Sequence, residues 1–96
     1  MKLEWSAYAL SDRDGIFDHI EADSPRAAVA IDDIIRHHIE RLSQFPESGR
    51  PGRVEGTREL VVNRTPYIVA YRLADGVAHI LRILHGSQLW PDDMPD

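Results

Sequence analysis

The 96-residue chain contains no cysteine, so neither a disulfide framework nor a thiolate metal centre is open to it. Lysine is nearly absent too: Lys2 is the sole one, and the other ten strongly basic side chains are arginine. No apolar run approaches the ~20 residues of a membrane-spanning helix, and the N-terminus lacks the apolar stretch of a signal peptide. A soluble cytoplasmic protein, held by packing alone, is the expectation. A chain of this size buries roughly 60–70% of its unfolded surface, enough for one core. Residues 1–91 read as that single domain and residues 92–96 as a short acidic tail. Hydrophobic residues at 43% and charged residues at 28% give ordinary globular composition and exclude intrinsic disorder.

The net charge of −5 is unevenly divided. Residues 1–47 carry five basic and ten acidic side chains, whereas residues 48–91 set six arginines against Glu55, Glu59 and Asp75. Arginine used without lysine points to planar, forked recognition of carboxylate or phosphate. The overall acidity argues against a protein that lives on bulk nucleic acid.

"KLEW" (2–5) alternates as a short strand. From Ser6 to about Ala22, Ala7, Leu10, Phe17 and Ile20 recur at helical spacing, despite Gly15, which costs ~1 kcal/mol in a helix interior. "DSPRAA" is a strong start signal, with Ser24 at N-cap and Pro25 at N1. The helix it opens carries Ala28, Ile31, Ile35, Leu42 and Phe45 on one stripe, so an antiparallel helical hairpin is expected. Two prolines and three glycines make residues 45–56 a loop. Three strand runs follow, 57–62, 67–73 and 77–85, joined by short turns as an antiparallel meander. The order β-α-α-β-β-β predicts a two-layer α+β domain, an antiparallel sheet packed on the hairpin. Because the last strands are apolar on both faces, the second face is expected to be covered by a partner chain.

His37 and His38 are adjacent on a helix and diverge by about 100°, so they cannot share an ion. His38 falls on the apolar stripe as a packed or hydrogen-bonded histidine, and no metal site is expected. Asp12, Asp14, Asp18, Asp32, Asp33 and Glu40 read as a solvated helix face whose acidity favours a basic partner. Arg58, Arg72 and Arg82 lie one on each meander strand. Two readings stand: separate ion pairs with Glu59, Glu55 or Asp75, or a cluster that binds a carboxylate- or phosphate-bearing partner. Arg82, placed between Ile80 and Leu84 on the most apolar strand, is costly unless paired. "RILHGSQLW" (82–90) then sets His85, Gln88 and Trp90 beyond it, with an imidazole that titrates near neutrality.

The pieces "KLEWS", "DSPRAA", "GRPGRVEGTRELVV", "PYIVAYRL" and "ILRILHGSQLWP" together resemble the ParE toxins of the RelE/ParE superfamily, from Lys2 to Pro91. Gly49-Arg50-Pro51-Gly52-Arg53 and Arg82-Ile83-Leu84-His85 are the most specific parts. The resemblance implies the same β-α-α-β-β-β fold and the toxin half of a type II toxin–antitoxin module. It implies a partner as well: a small DNA-binding antitoxin, ParD-like or otherwise, whose tail wraps the toxin in a hetero-oligomer. Two toxic mechanisms exist in the superfamily. RelE-like members cleave mRNA on the ribosome and present a basic surface of Lys and Arg; here the catalytic candidates would be His85, Arg82 and Arg58. Tyr67 stands where several such nucleases place an arginine, which leaves the set incomplete. ParE-like members instead poison DNA gyrase, an act of binding without cofactor or metal. The reading taken is gyrase inhibition through a surface of Arg58, Arg82, His85, Gln88 and Trp90, with the endoribonuclease, or a relative without toxicity that only binds antitoxin, as the alternatives.

Overall fold

The computed structural model describes residues 1–95. Its elements are β1 (Lys2–Trp5), α1 (Ala7–Glu21), α2 (Pro25–Glu40), a 3-10 turn (Arg41–Ser43), β2 (Arg50–Pro51), β3 (Arg58–Val61), β4 (Tyr67–Ala74) and β5 (Val77–His85). Both helices start where the capping residues direct: Ser6 Oγ accepts from Ala9 N–H and Ser24 Oγ from Ala27 N–H. The second helix stops at Glu40, short of the stripe's expected end, and Phe45 beyond it stands 53% exposed. Asp75 and Gly76 both adopt positive φ, the backbone that a two-residue hairpin between β4 and β5 requires.

The sheet has five strands in the order β1-β5-β4-β3-β2. The meander is antiparallel, as expected, but β1 joins it parallel to β5, and the "RP" of the irregular loop adds a two-residue edge strand opposite Arg58 and Glu59. A turn-rich composition hid that strand. Its register depends on Gly49, which passes so close to Tyr71 that a Cβ there would lie 2.6 Å from the hydroxyl. Tyr71 Oη accepts from Gly49 N–H and donates to Pro46 O, tying the loop to the middle of β4. Burial pushes the Tyr71 hydroxyl pKa up, so it remains a donor at any ordinary pH.

Two apolar clusters lie on the two sides of the sheet. Toward the helices, Ile35, Ile39 and Leu42 pack on Val69, Tyr71, Ile80 and Ile83. On the outer side Ala70, Leu81 and Leu84 are covered by Met94, Val54 and Trp90. The expected partner chain is therefore not needed for this part of the face; the chain's own loop and C-terminal segment lie on it. No helix among the described residues is long and apolar enough to cross a membrane.

The solvated acidic face is also corrected in part. Arg13 on α1 makes a two-pronged pair with Asp32 on α2, at 2.7 and 2.9 Å, and lies over the Trp5 ring. Asp33 and Glu40 pair with Arg36 at the surface, where such contacts contribute little. His38 Nδ1 lies 2.8 Å from Ile34 O, the hydrogen-bonded state expected of it, and His37 is exposed. The Arg13 guanidinium holds the Asp32 carboxyl below its ordinary value of 3.8. A carboxylate lowered on folding stabilises the fold above its unfolded pKa, and the contribution fades as pH falls through the folded value. Asp32→Asn should cost about 1–2 kcal/mol at pH 7, and the gap to the unsubstituted chain should narrow by pH 3, both read from urea unfolding curves.

Candidate functional site

The last strand sets the site, and a bulge sets the strand. Ala70 of β4 pairs with Arg82 while the next residue, Tyr71, pairs with Ile80, so Leu81 is an extra residue on β5. Alternation slips by one there. Ile80 and Ile83 both face the helices, and Leu81 and Leu84 both face outward. Arg82 is therefore not flanked by Ile80 and Leu84 on one face, as uninterrupted alternation predicts. It emerges at the bulge beside α1.

There it meets Asp12. Arg82 Nε and Nη2 donate to the two carboxylate oxygens at 2.7 and 3.0 Å, and Ile83 N–H donates to Oδ2 at 2.9 Å. β1 has already ended at Trp5, opposite Ile80, which would leave the rest of that β5 edge without partners. The start of α1 completes it: Ser6 N–H donates to Ile80 O, Ser6 Oγ to Leu81 O, and Asp12 accepts from Ile83. The carboxylate raises the Arg82 pKa further, so the guanidinium stays charged and closed on its partner. Asp12 is thus a structural ion-pair partner, not a solvated side chain.

Three residues on along β5, His85 packs edge-on against Tyr67, ring centroids 5.6 Å apart. Ser87 N–H and Oγ reach its Nδ1 at 3.1 and 2.7 Å, and Gln88 Oε1 accepts from His85 N–H at 2.7 Å. Since Nδ1 accepts from a backbone N–H, this hydrogen-bond network assigns the proton of the neutral ring to Nε2. Burial lifts the Tyr67 hydroxyl pKa. Tyr67, His85 and Gln88 form one wall of an open groove of about 340 Å³, with Ser11, Gly15 and His19 of α1 opposite and Ile16 and Ile83 also lining it.

The other predicted site residues lie elsewhere, and the three meander arginines are not gathered. Arg58 pairs with Tyr71 on the helix side and donates to the carbonyls of Gly49 and Glu47 at 2.9 and 3.4 Å. Four strand positions separate Tyr71 from Tyr67, the residue opposite His85, which puts Arg58 about 13 Å further along the sheet. Arg72 stands opposite His79 in register. Trp90 belongs to the outer cluster and carries the Arg53 guanidinium 3.7 Å above its ring. His85 and Gln88 are hydrogen-bonded neighbours at the groove, which Arg82, three residues back on β5, does not line; Arg58 and Trp90 are not beside them.

Sequence reasoning missed a second ionic centre. Glu59, with 2% of its side chain exposed, faces outward beside Ala70 and takes Arg50 Nη2 at 3.1 Å, Arg53 N–H at 2.7 Å and Arg53 Nε at 3.4 Å. The motif "GRPGR" carried the signal, two arginines three apart around a Pro-Gly turn, but Glu55 and Glu59 were equivalent partners until the register was known. Among the described residues no group of three or more His, Cys, Asp or Glu side chains is arranged to hold a metal ion.

The two helices on a five-stranded mixed sheet, with this strand end exposed beside them, are the architecture of the small toxins of bacterial toxin–antitoxin modules. Residues 3–90 match the family model described as "ParE toxin of type II toxin-antitoxin system, parDE", and the chain belongs to that family. It is similar to "Putative toxin Y4kP" of Sinorhizobium fredii, 41% identical over 94% of this chain and 93% of that protein. It is also similar to "Toxin RelE2" of Caulobacter vibrioides, 39% identical over 92% and 98% respectively. A chain of the solved "Chromosomal ParDE TA system from P. aeruginosa" superposes with a TM-score of 0.79 and 32% identity, covering 86% of this chain and 92% of that one.

Removing one member of this partly buried, two-pronged pair leaves the other without its partner. Arg82→Ala should destabilise by about 2–3 kcal/mol, and the Asp12→Ala/Arg82→Ala cycle should give a coupling above about 1 kcal/mol by denaturant unfolding.

Proposed function

We propose that this ParE-family toxin acts on DNA gyrase in the cytoplasm, stabilising the cleaved DNA–enzyme complex and so blocking replication, and that a cognate ParD-like antitoxin neutralises it. The family match supports the toxin and its antitoxin; the state of Arg82 supports the mode of action. Ribonucleolysis needs a general acid and base, and a free cation to stabilise the charge developing on phosphorus. The cation nearest to His85 in the chain has its fork closed on Asp12, and Arg58 is bound to loop carbonyls further along the sheet. His85 and Gln88 are then contact residues of a binding surface, and Arg82 is a positioning residue that sets the strand carrying them. Arg58 and Trp90 lie away from this strand end and are read as supports of the 46–54 loop, through the carbonyls of Glu47 and Gly49 and the Arg53 guanidinium.

A second reading, the ribosome-dependent endoribonuclease, draws on the name of the Caulobacter relative and on His85, whose Nε2–H could serve as an acid. The two differ in product. Incubated with gyrase, ATP and supercoiled plasmid, the purified protein should accumulate linear DNA with gyrase covalently attached, released by detergent and protease. No such DNA, together with mRNA cut at the ribosomal A site in a translation extract, would reverse the assignment.

A further inference from the structure

Between His85 and Trp90 the chain passes from one side of the sheet to the other. His85 packs on Tyr67 of the helix-side cluster, and Trp90 lies in the outer one. Both ends of this crossing are held. At the near end Gly86 N–H donates to Pro66 O at 2.8 Å, and Gln88 N–H donates back to His85 O at 3.1 Å, closing a turn over residues 85–88. The Gln88 side chain closes the same turn again by accepting from His85 N–H. At the far end the Trp90 ring packs with Ala70, Leu81 and Leu84, and the Arg53 guanidinium lies 3.7 Å from its centre. Arg53 is fixed in turn, because its N–H and Nε both reach the buried Glu59.

Leu89 stands between these two holds, and it is 96% exposed; Tyr8, the next most exposed large apolar residue, reaches 61%. It belongs to neither apolar cluster, although its neighbour Trp90 is part of one. A lone apolar side chain on a surface is ordinary. This one is carried on backbone fixed at both sides, next to the exposed hydrogen-bonding groups of Ser87 and Gln88. An apolar side chain held out in that way, with polar groups around it, has the form of an interface anchor and its rim. Trp90 fits the part of a support: its Nε1 is buried with no acceptor, so the indole serves by its ring and not by a hydrogen bond.

We infer that Leu89 is the apolar anchor of the toxic surface, entering an apolar recess on gyrase while Ser87 and Gln88 hydrogen-bond around it, and that Trp90 and Arg53 are positioning residues that hold its turn. The inference rests on the gyrase reading above and adds a contact residue and the clamp that presents it. Residues 85–90 then act as one unit: β4 holds His85, and the Arg53–Trp90 contact holds the other end.

The gyrase cleavage assay, titrated with variants of the full chain, tests this. Leu89→Ala should leave the Tm within about 3 °C, since so exposed a side chain gives the fold nothing. It should raise the toxin concentration needed for half-maximal linear DNA by about tenfold or more. Leu89→Met keeps the apolar bulk and should stay within about threefold. Trp90→Phe keeps a ring against Arg53 and drops the unpaired N–H, so its titration should match that of the unsubstituted toxin. Trp90→Ala and Arg53→Ala, compared at equal folded concentration, should each weaken cleavage. In both, the ¹H–¹⁵N NOE of the Ser87 and Gln88 amides should fall while those of β4 hold, which a general loss of stability does not produce. Full potency of Leu89→Ala, with the unsubstituted toxin active, overturns the inference alone, as do Trp90→Ala turn amides that stay rigid. No gyrase-linked DNA from the unsubstituted toxin removes the underlying reading and the inference with it.

Discussion

One carboxylate joins the two layers of this protein. Asp12 accepts both prongs of Arg82 and the amide of Ile83, and it does so where β5 has lost its neighbour strand and slipped at a bulge. A bulge leaves backbone groups unpaired and rotates the side chains beyond it. Without a donor–acceptor set at that point, the strand end that carries His85 would be held on one edge alone, by its pairing with β4. Ser6 and Asp12, six residues apart on the first turns of α1, supply that set. The helix is placed by the edge it completes as much as by the apolar stripe beneath it.

The same economy runs through the arginines. Arg13 links the helices through Asp32, Arg50 and Arg53 share the buried Glu59, and Arg58 holds the loop carbonyls of Glu47 and Gly49. Guanidinium forks suit these tasks because one planar group satisfies two acceptors at once. This accounts for a basic half made of arginine alone in a chain that is acidic overall. Four of the six arginines in that half, Arg50, Arg53, Arg58 and Arg82, are engaged in architecture, and what the end of β5 presents is a hydrogen-bonding surface beside α1.

Much of the fold was legible because it follows from local rules. Ser6, Ser24 and Pro25 announced the helix starts, the short turn at 74–76 announced the hairpin, and strand-forming runs bounded by turns marked β3 and β4. Long-range facts were not legible. The parallel seat of β1 beside β5 and the bulge at Leu81 depend on pairing that no local pattern states. Asp12 and Arg82 are 70 positions apart, and nothing near either distinguishes this aspartate from Asp14 or Asp18. The arginine cluster failed for the same reason: one arginine per strand says nothing about register or direction, and although Arg58 and Arg82 stand level across β4, opposite Tyr71 and Ala70, the first reaches the loop carbonyls and the second reaches Asp12. The resemblance to ParE toxins gave the family correctly, while the residue-level surface had to wait for geometry. His85 and Gln88 come together at the groove; Trp90 turns away to cover Ala70, Leu81 and Leu84.

The central claim is that Arg82 serves the fold through its hydrogen bonds to Asp12 and that its charge makes no contact with the toxic target. Growth after induction of an Asp12→Asn/Arg82→Gln variant, with its folded fraction measured by circular dichroism, tests this directly. The account predicts arrest equal to that of the unsubstituted toxin at matched folded concentration, since the amide pair keeps the join and removes both charges. A folded, abundant variant that lets cells grow normally would contradict it.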